Sequence, residues 1–157
     1  MSCLVAQNAD EVVLWSHGQG SADAINQTHH NPRYLADVEL PANVHATGDL
    51  AGAALGCSAV VLAAPSTHLR NISHELAESL GPDVPVLVLT KGIEAGTGLL
   101  MSEVAAAELD GEQRVAALSG PNHAEEVSLK MFSAAVLASP SEEIGEQLRD
   151  YVATPTF

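Results

Sequence analysis

Lysine is scarce in this chain: among 157 residues only Lys91 and Lys130 carry it. Lys91 stands directly behind Val84–Thr90 (VPVLVLT), the most apolar run present, and Gly92 follows it. An ammonium group in such a place can meet an anionic ligand or polarise a carbonyl. A strand-end lysine that simply reaches solvent reads as well from position alone. A second string, Gly120-Pro121-Asn122, follows the run Arg114–Ser119 (RVAALS). Glycine and then proline behind a strand predict a helix start with Pro121 at its first position. The free N–H groups of Asn122, His123 and Ala124 would then form an anion site, or the string is an ordinary turn.

Other reactive side chains show less pattern. His29, His30, His45, His68 and His74 have no ligand spacing, and no metal site is assigned. Glu125 and Glu126 fit the complement of a helix N-terminus better than an acid–base pair. Cys3 and Cys57 are the only cysteines, too few for a disulfide framework or a zinc site. Six basic residues against twenty acidic ones leave a formal charge of −14, which disfavours nucleic acid and anionic membranes as partners. No secretory signal and no apolar run of about 18 residues is visible, so no membrane span is expected and the cytoplasm is the default setting.

The elements that must position these residues alternate. Short apolar runs at Glu11–Trp15, Ala59–Ala63, Val84–Thr90, Arg114–Ser119 and Ser133–Ala138 read as strands buried on both faces, with Val44–Thr47 a weaker candidate. Helical spacing fills the gaps. Leu69, Ile72, Leu76 and Leu80 share one face of Ser66–Leu80, and Leu99–Leu109 is rich in helix formers. Ser139-Pro140-Ser141-Glu142 has the form of a capping box opening a helix that carries Ile144, Leu148 and Val152. His29–Pro41 reads as a long ordered connection. With 46% hydrophobic but only 3% aromatic residues, the core must be aliphatic. The pattern predicts an α/β, Rossmann-like, doubly wound and mainly parallel sheet with right-handed crossovers.

In such a sheet ligands bind beyond the carboxyl ends of the strands, which singles out Ser16-His17, Ala64-Pro65-Ser66, Lys91-Gly92 and Gly120-Pro121-Asn122. His17 occupies the place near the adenosine ribose, where an acid favours NAD and a cation NADP; Ser16-His17 decides neither. The phosphate-binding G-x-G-x-x-G is absent, and Gly18-Gln19-Gly20 follows the wrong strand. Met1–Gln7 reads as the back half of a helix and Thr154–Phe157 as an uncompleted strand approach. The first strand and its Gly-rich loop are therefore expected to lie upstream, making residues 1–157 a partial dinucleotide-binding domain.

The strings EVVLW, QTHHNPRYL, VVLAAPSTHLR, LTKGIEAGTGLLMSEV and LSGPNHAEEV, in this order and spacing, resemble bacterial NAD(P)-dependent glycerol-3-phosphate dehydrogenase over nearly the whole chain. T-K-G-I-E and S-G-P-x-x-A-E-E are the most specific. The resemblance implies NAD or NADP as cofactor. It also implies reduction of dihydroxyacetone phosphate to sn-glycerol 3-phosphate for phospholipid synthesis. Lys91 then matches the lysine that touches both cofactor and substrate and serves catalysis. Gly120 and Asn122 match substrate contacts, and Ala124 a cofactor contact. Trp15 and His17 match the adenosine end, and Pro65 and Ser66 the cofactor groove. A helical substrate domain, which carries the family's proton acceptor, is absent from this chain, so the isolated fragment is expected to be inactive. A homodimer belongs to the full-length enzyme. Asn122 departs from the Ser or Thr common at its place, and no Arg stands beside His17, which leaves the cofactor preference open.

Two other readings stand beside this one: the nucleotide domain of a related hydroxyacid dehydrogenase, and a catalytically inactive α/β binding module. T-K-G-I-E weighs against the first. The second calls for an acidic cluster at the first strand ends, and none is visible.

Overall fold

The computed structural model describes residues 1–157. In chain order the elements are α1 (Ser2–Val5), β1 (Val12–Trp15), α2 (Gln19–Thr28), β2 (Val44–Thr47), α3 (Leu50–Ala54), β3 (Val60–Leu62) and α4 (Ser66–Ala77). They continue as β4 (Val86–Val88), α5 (Met101–Leu109), β5 (Val115–Ser119), α6 (Ala124–Ser128), β6 (Val136–Ala138) and α7 (Glu142–Val152). Each predicted apolar run contains a strand, and Val44–Thr47 is one in full. The architecture is Rossmann-like α/β with mainly parallel strands. No helix is long and apolar enough to cross a membrane.

The chain forms two compact units. The first comprises Met1–Ala53, Pro121–Ala134 and Asp150–Phe157, and the second Ala54–Gly120 and Ala135–Arg149.

In the first unit β1 and β2 pair in parallel, Val12 opposite Val44 and Trp15 opposite Thr47. α2, which the sequence reading did not identify, lays Ala22 and Ile25 against Leu40, Val44 and Ala46 to form the core. Its polar side also holds the sheet: Asn26 Nδ2 donates to Ala46 O at 2.8 Å, and Ala46 N donates to Asn26 Oδ1 at 2.7 Å. His29 ends α2 in the left-handed region (φ 54°). The connection that follows folds back on itself through a bridge between His30 and Glu39. Thr154–Phe157 is a closed turn rather than a strand approach. Thr154 and Phe157 exchange backbone hydrogen bonds, and Ser133 N donates to Thr156 O at 2.9 Å.

In the second unit the strand order is β3-β4-β5-β6. Val86, Leu87 and Val88 of β4 are all buried, as the apolar run demands. α4 places Leu69 and Leu76 on its inner face, and α5 places Met101, Val104, Ala105 and Leu109 on its own. Arg114, before β5, donates to the carbonyls of Gly81, Val84 and Leu109, so the turn before β4 and the end of α5 share one guanidinium.

β6 runs antiparallel to β5, the one exception in the expected mainly parallel arrangement. Two expectations need correction. Burial on both faces holds for β4 but not for β1, where Val13 is 45% exposed, nor for the edge strand β6, where Val136 is 69% exposed. An edge strand has a neighbour on one side only, and this one is left partly uncovered. The capping residue of α7 is Ser141, whose Oγ accepts from Ile144 N at 3.4 Å. Ser139 instead folds the preceding turn, donating to Ser141 O at 2.7 Å. Pro140 therefore precedes the cap and does not occupy the first helical position.

Candidate active site

Lys91 begins the loop that leaves β4. Thr90 Oγ1 donates to Ala64 O at 2.7 Å, and Leu89 N to Leu62 O at 2.8 Å, so the carboxyl ends of β3 and β4 are tied together. That tie brings Pro65 and Ser66 beside Lys91 and Gly92. Gly92 has φ 127°, a conformation that L side chains rarely adopt, and the Ser66 Cβ lies 3.8 Å from where a Cβ on Gly92 would stand. Glycine here lets the backbone turn sharply at the strand end. The Lys91 side chain is exposed, and its Nζ donates to Gly120 O at 3.0 Å. Pro65, Ser66, Lys91 and Gly120 are thus assembled at the carboxyl ends of three adjacent strands, β3, β4 and β5. An ammonium has three donors, so the bond to Gly120 O leaves two for a ligand oxygen.

The other expected site residues belong to the first unit. Trp15 Nε1 donates to Gly48 O at 3.2 Å, which fixes the indole at the carboxyl end of β1. His17 meets it edge-on, with ring centroids 6.2 Å apart and planes at 73°. Asn122 turns its amide onto Ala134 O at 3.4 Å. Ala124 is the first residue of α6 and is exposed.

The helix start expected at Gly120-Pro121-Asn122 is displaced. α6 begins at Ala124 with His123 as its cap, and Pro121 lies outside it. The helix is only five residues long, and Glu126 Oε2 already accepts from His123 N at 3.4 Å. A helix this short adds little dipole, and the carboxylate occupies its first free donor. The anion site once expected there is not formed by α6.

Sequence reasoning passed over a charged network behind Lys91. Arg70 of α4 donates through Nε and Nη2 to the two carboxylate oxygens of Glu94, at 2.8 and 2.7 Å. Its Nη1 donates to Glu108 of α5, whose other oxygen lies 3.1 Å from His74 Nδ1. Thr97 Oγ1 adds a donor to Glu94 at 2.6 Å. The guanidinium bond, and after it the Thr97 hydroxyl, hold the Glu94 carboxyl down to about 2, while the two glutamates raise Arg70 further above its ordinary range. The signal was present in the sequence: Glu94 closes T-K-G-I-E, and Arg70 closes APSTHLR.

Residues 1–145 match the family described as NAD-dependent glycerol-3-phosphate dehydrogenase N-terminus. A glycerol-3-phosphate dehydrogenase (NAD(P)+) from Streptomyces coelicolor is 40% identical over 155 residues, which cover 98% of this chain and 46% of that protein. A crystal structure of glycerol-3-phosphate dehydrogenase from Coxiella burnetii is similar with a TM-score of 0.89 at 26% identity, over 99% of this chain and 47% of that one. The Plasmodium falciparum glycerol-3-phosphate dehydrogenase gives a TM-score of 0.91 at 25% identity, over 99% of this chain and 46% of that one. The chain spans about half the length of the curated relatives it matches. On the family match over residues 1–145, this chain belongs to the NAD-dependent glycerol-3-phosphate dehydrogenase N-terminal family.

Proposed function

We propose that this chain is the nucleotide-binding part of an enzyme that reduces dihydroxyacetone phosphate to sn-glycerol 3-phosphate with NADH or NADPH. The observation that carries the reading is the 3.0 Å bond from Lys91 Nζ to Gly120 O. It joins the two most family-specific strings, T-K-G-I-E and S-G-P, at the carboxyl ends of the parallel strands β4 and β5, where ligands of such folds bind.

The donor set suits a dinucleotide and a phosphorylated ketone. Pro65 and Ser66 form the wall of the cofactor groove at the end of β3, with the Ser66 hydroxyl as its polar point. Trp15 and His17 take the adenosine end, and Ala124 contributes a further cofactor contact. When bound, the nicotinamide supplies the hydride. Lys91 then stands by the substrate carbonyl, its ammonium oriented by the Gly120 carbonyl, and offsets negative charge gathering on the substrate oxygen. Gly120 and Asn122 contact the substrate, where Asn122 donates an amide N–H in place of a hydroxyl. The proton for the new hydroxyl is assigned to the lysine of the family's helical domain. The full-length enzyme is a homodimer in this reading, working in the cytoplasm, with no nucleic-acid partner.

The test is a chimera in which residues 1–157 replace the matching segment of the Streptomyces coelicolor relative. Oxidation of NADH or NADPH that depends on dihydroxyacetone phosphate is the expected result. A folded chimera that binds NADH and leaves this ketone untouched would overturn the reading.

A further inference from the structure

We infer that Glu94 is a positioning residue for Lys91: by gripping Arg70 and Thr97 it fixes the loop that starts at Lys91. The inference rests on the role proposed for Lys91 above.

The loop between β4 and α5 needs such a grip. Gly92, Gly96 and Gly98 all take positive φ, and a chain with three such glycines loses much conformational freedom on ordering. Few backbone bonds offset that loss. Glu94 N donates to Leu99 O at 2.8 Å, Gly98 N donates to Glu94 O at 3.0 Å, and Ile93 bridges Leu100. Apolar packing contributes little: Ile93 is 66% exposed and Leu100 52%. The glutamate side chain supplies the loop's one salt bridge. It is bound in the bidentate manner by a guanidinium whose third nitrogen is fixed on α5 through Glu108. Bidentate charge-assisted pairs are the geometrically specific kind. Arg70 therefore links α4, α5 and the loop, and Glu94 lies three residues beyond Lys91. On the other side Lys91 meets only the Gly120 carbonyl. Release of Glu94 would free the loop while the buried strand β4 stays in place, and the ammonium would lose its orientation. A misplacement of about 1 Å in a catalytic group can cost ~100-fold in rate.

Two measurements test this. In the 157-residue chain, amide exchange at Glu94 and Gly98 should quicken by about tenfold or more in Glu94→Ala and in the milder Thr97→Val, with protection of Val86, Leu87 and Val88 unchanged. In the chimera described above, Glu94→Ala should lower kcat by about tenfold or more while KM for NADH moves less than about threefold. The double variant Lys91→Ala/Glu94→Ala should be no slower than Lys91→Ala alone, because residues acting through one another are not additive. Unchanged exchange in the loop, or losses that multiply in the double variant, would overturn the inference. If Lys91→Ala retains full activity, the assignment of Lys91 itself fails and this inference falls with it. If Lys91→Ala is crippled but Glu94→Ala is not, only the positioning role is lost.

Discussion

The Lys91 ammonium and the Gly120 carbonyl, 29 residues apart in the chain, meet at 3.0 Å, so the loop leaving β4 and the end of β5 are joined through one side chain. In the chimera, Lys91→Ala should lower kcat/KM by roughly 100-fold or more, the range for loss of one charge-stabilising donor. Lys91→Met keeps the apolar stem and should be equally inactive. The melting temperature should hardly change, since the side chain is exposed. Near-normal kinetics in Lys91→Met would reduce Lys91 to a surface residue.

Acid stability should depend on Glu94. Its carboxyl titrates at about 2 in the folded chain against an ordinary 4.5, chiefly because Arg70 binds the ionised form. Between these values the unfolded chain binds more protons than the folded one, so stability rises with pH there. The contribution is complete above about 4.5 and disappears as pH falls through about 2. The difference in melting temperature between the native chain and Glu94→Gln should therefore shrink from pH 7 to pH 3. Added salt should shrink it as well, because Arg70 is partly exposed. A difference independent of pH would dissociate Glu94 from the acid response.

Asn26 should matter more than its place on a helix surface suggests. Its amide satisfies both the N–H and the C=O of Ala46 in β2. Asn26→Ala leaves two strand groups without these partners and should destabilise the chain by about 1–3 kcal/mol. Urea unfolding followed by circular dichroism gives the value, and a loss below about 0.5 kcal/mol would mean that water replaces the amide without penalty.

Leu87 lies at the centre of β4 with no exposed surface. Leu87→Ala should cost roughly 2–5 kcal/mol, from lost burial and the cavity left behind. The same denaturant measurement decides it, and a loss under about 1 kcal/mol would mean that the surrounding side chains collapse into the space.

Where a local pattern repeats over several residues, the sequence was sufficient. Val84–Leu89 carries no polar side chain and reads as a buried strand, and Val86–Val88 within it form β4. Leu69 and Leu76 share a helical stripe, and both are buried. α2 escaped notice because Gly20 and Ser21 weaken the helical signal of its first turn, and its inner face rests on two residues, Ala22 and Ile25. The cap of α7 was misplaced by two residues because Ser139 and Ser141 are chemically alike, and which hydroxyl meets the helix is settled by backbone geometry.

The alternation of strands and helices, the aliphatic core and the strand ends where Pro65, Ser66 and Lys91 stand were determined by the sequence alone, because each depends on residues close together in the chain. The antiparallel direction of β6, the meeting of Lys91 with Gly120, and the grip of Arg70 on Glu94 and Glu108, 24 and 38 residues away, were decided only by tertiary structure. Such pairings depend on which distant groups packing of the whole brings within hydrogen-bond reach, and no local periodicity encodes that distance.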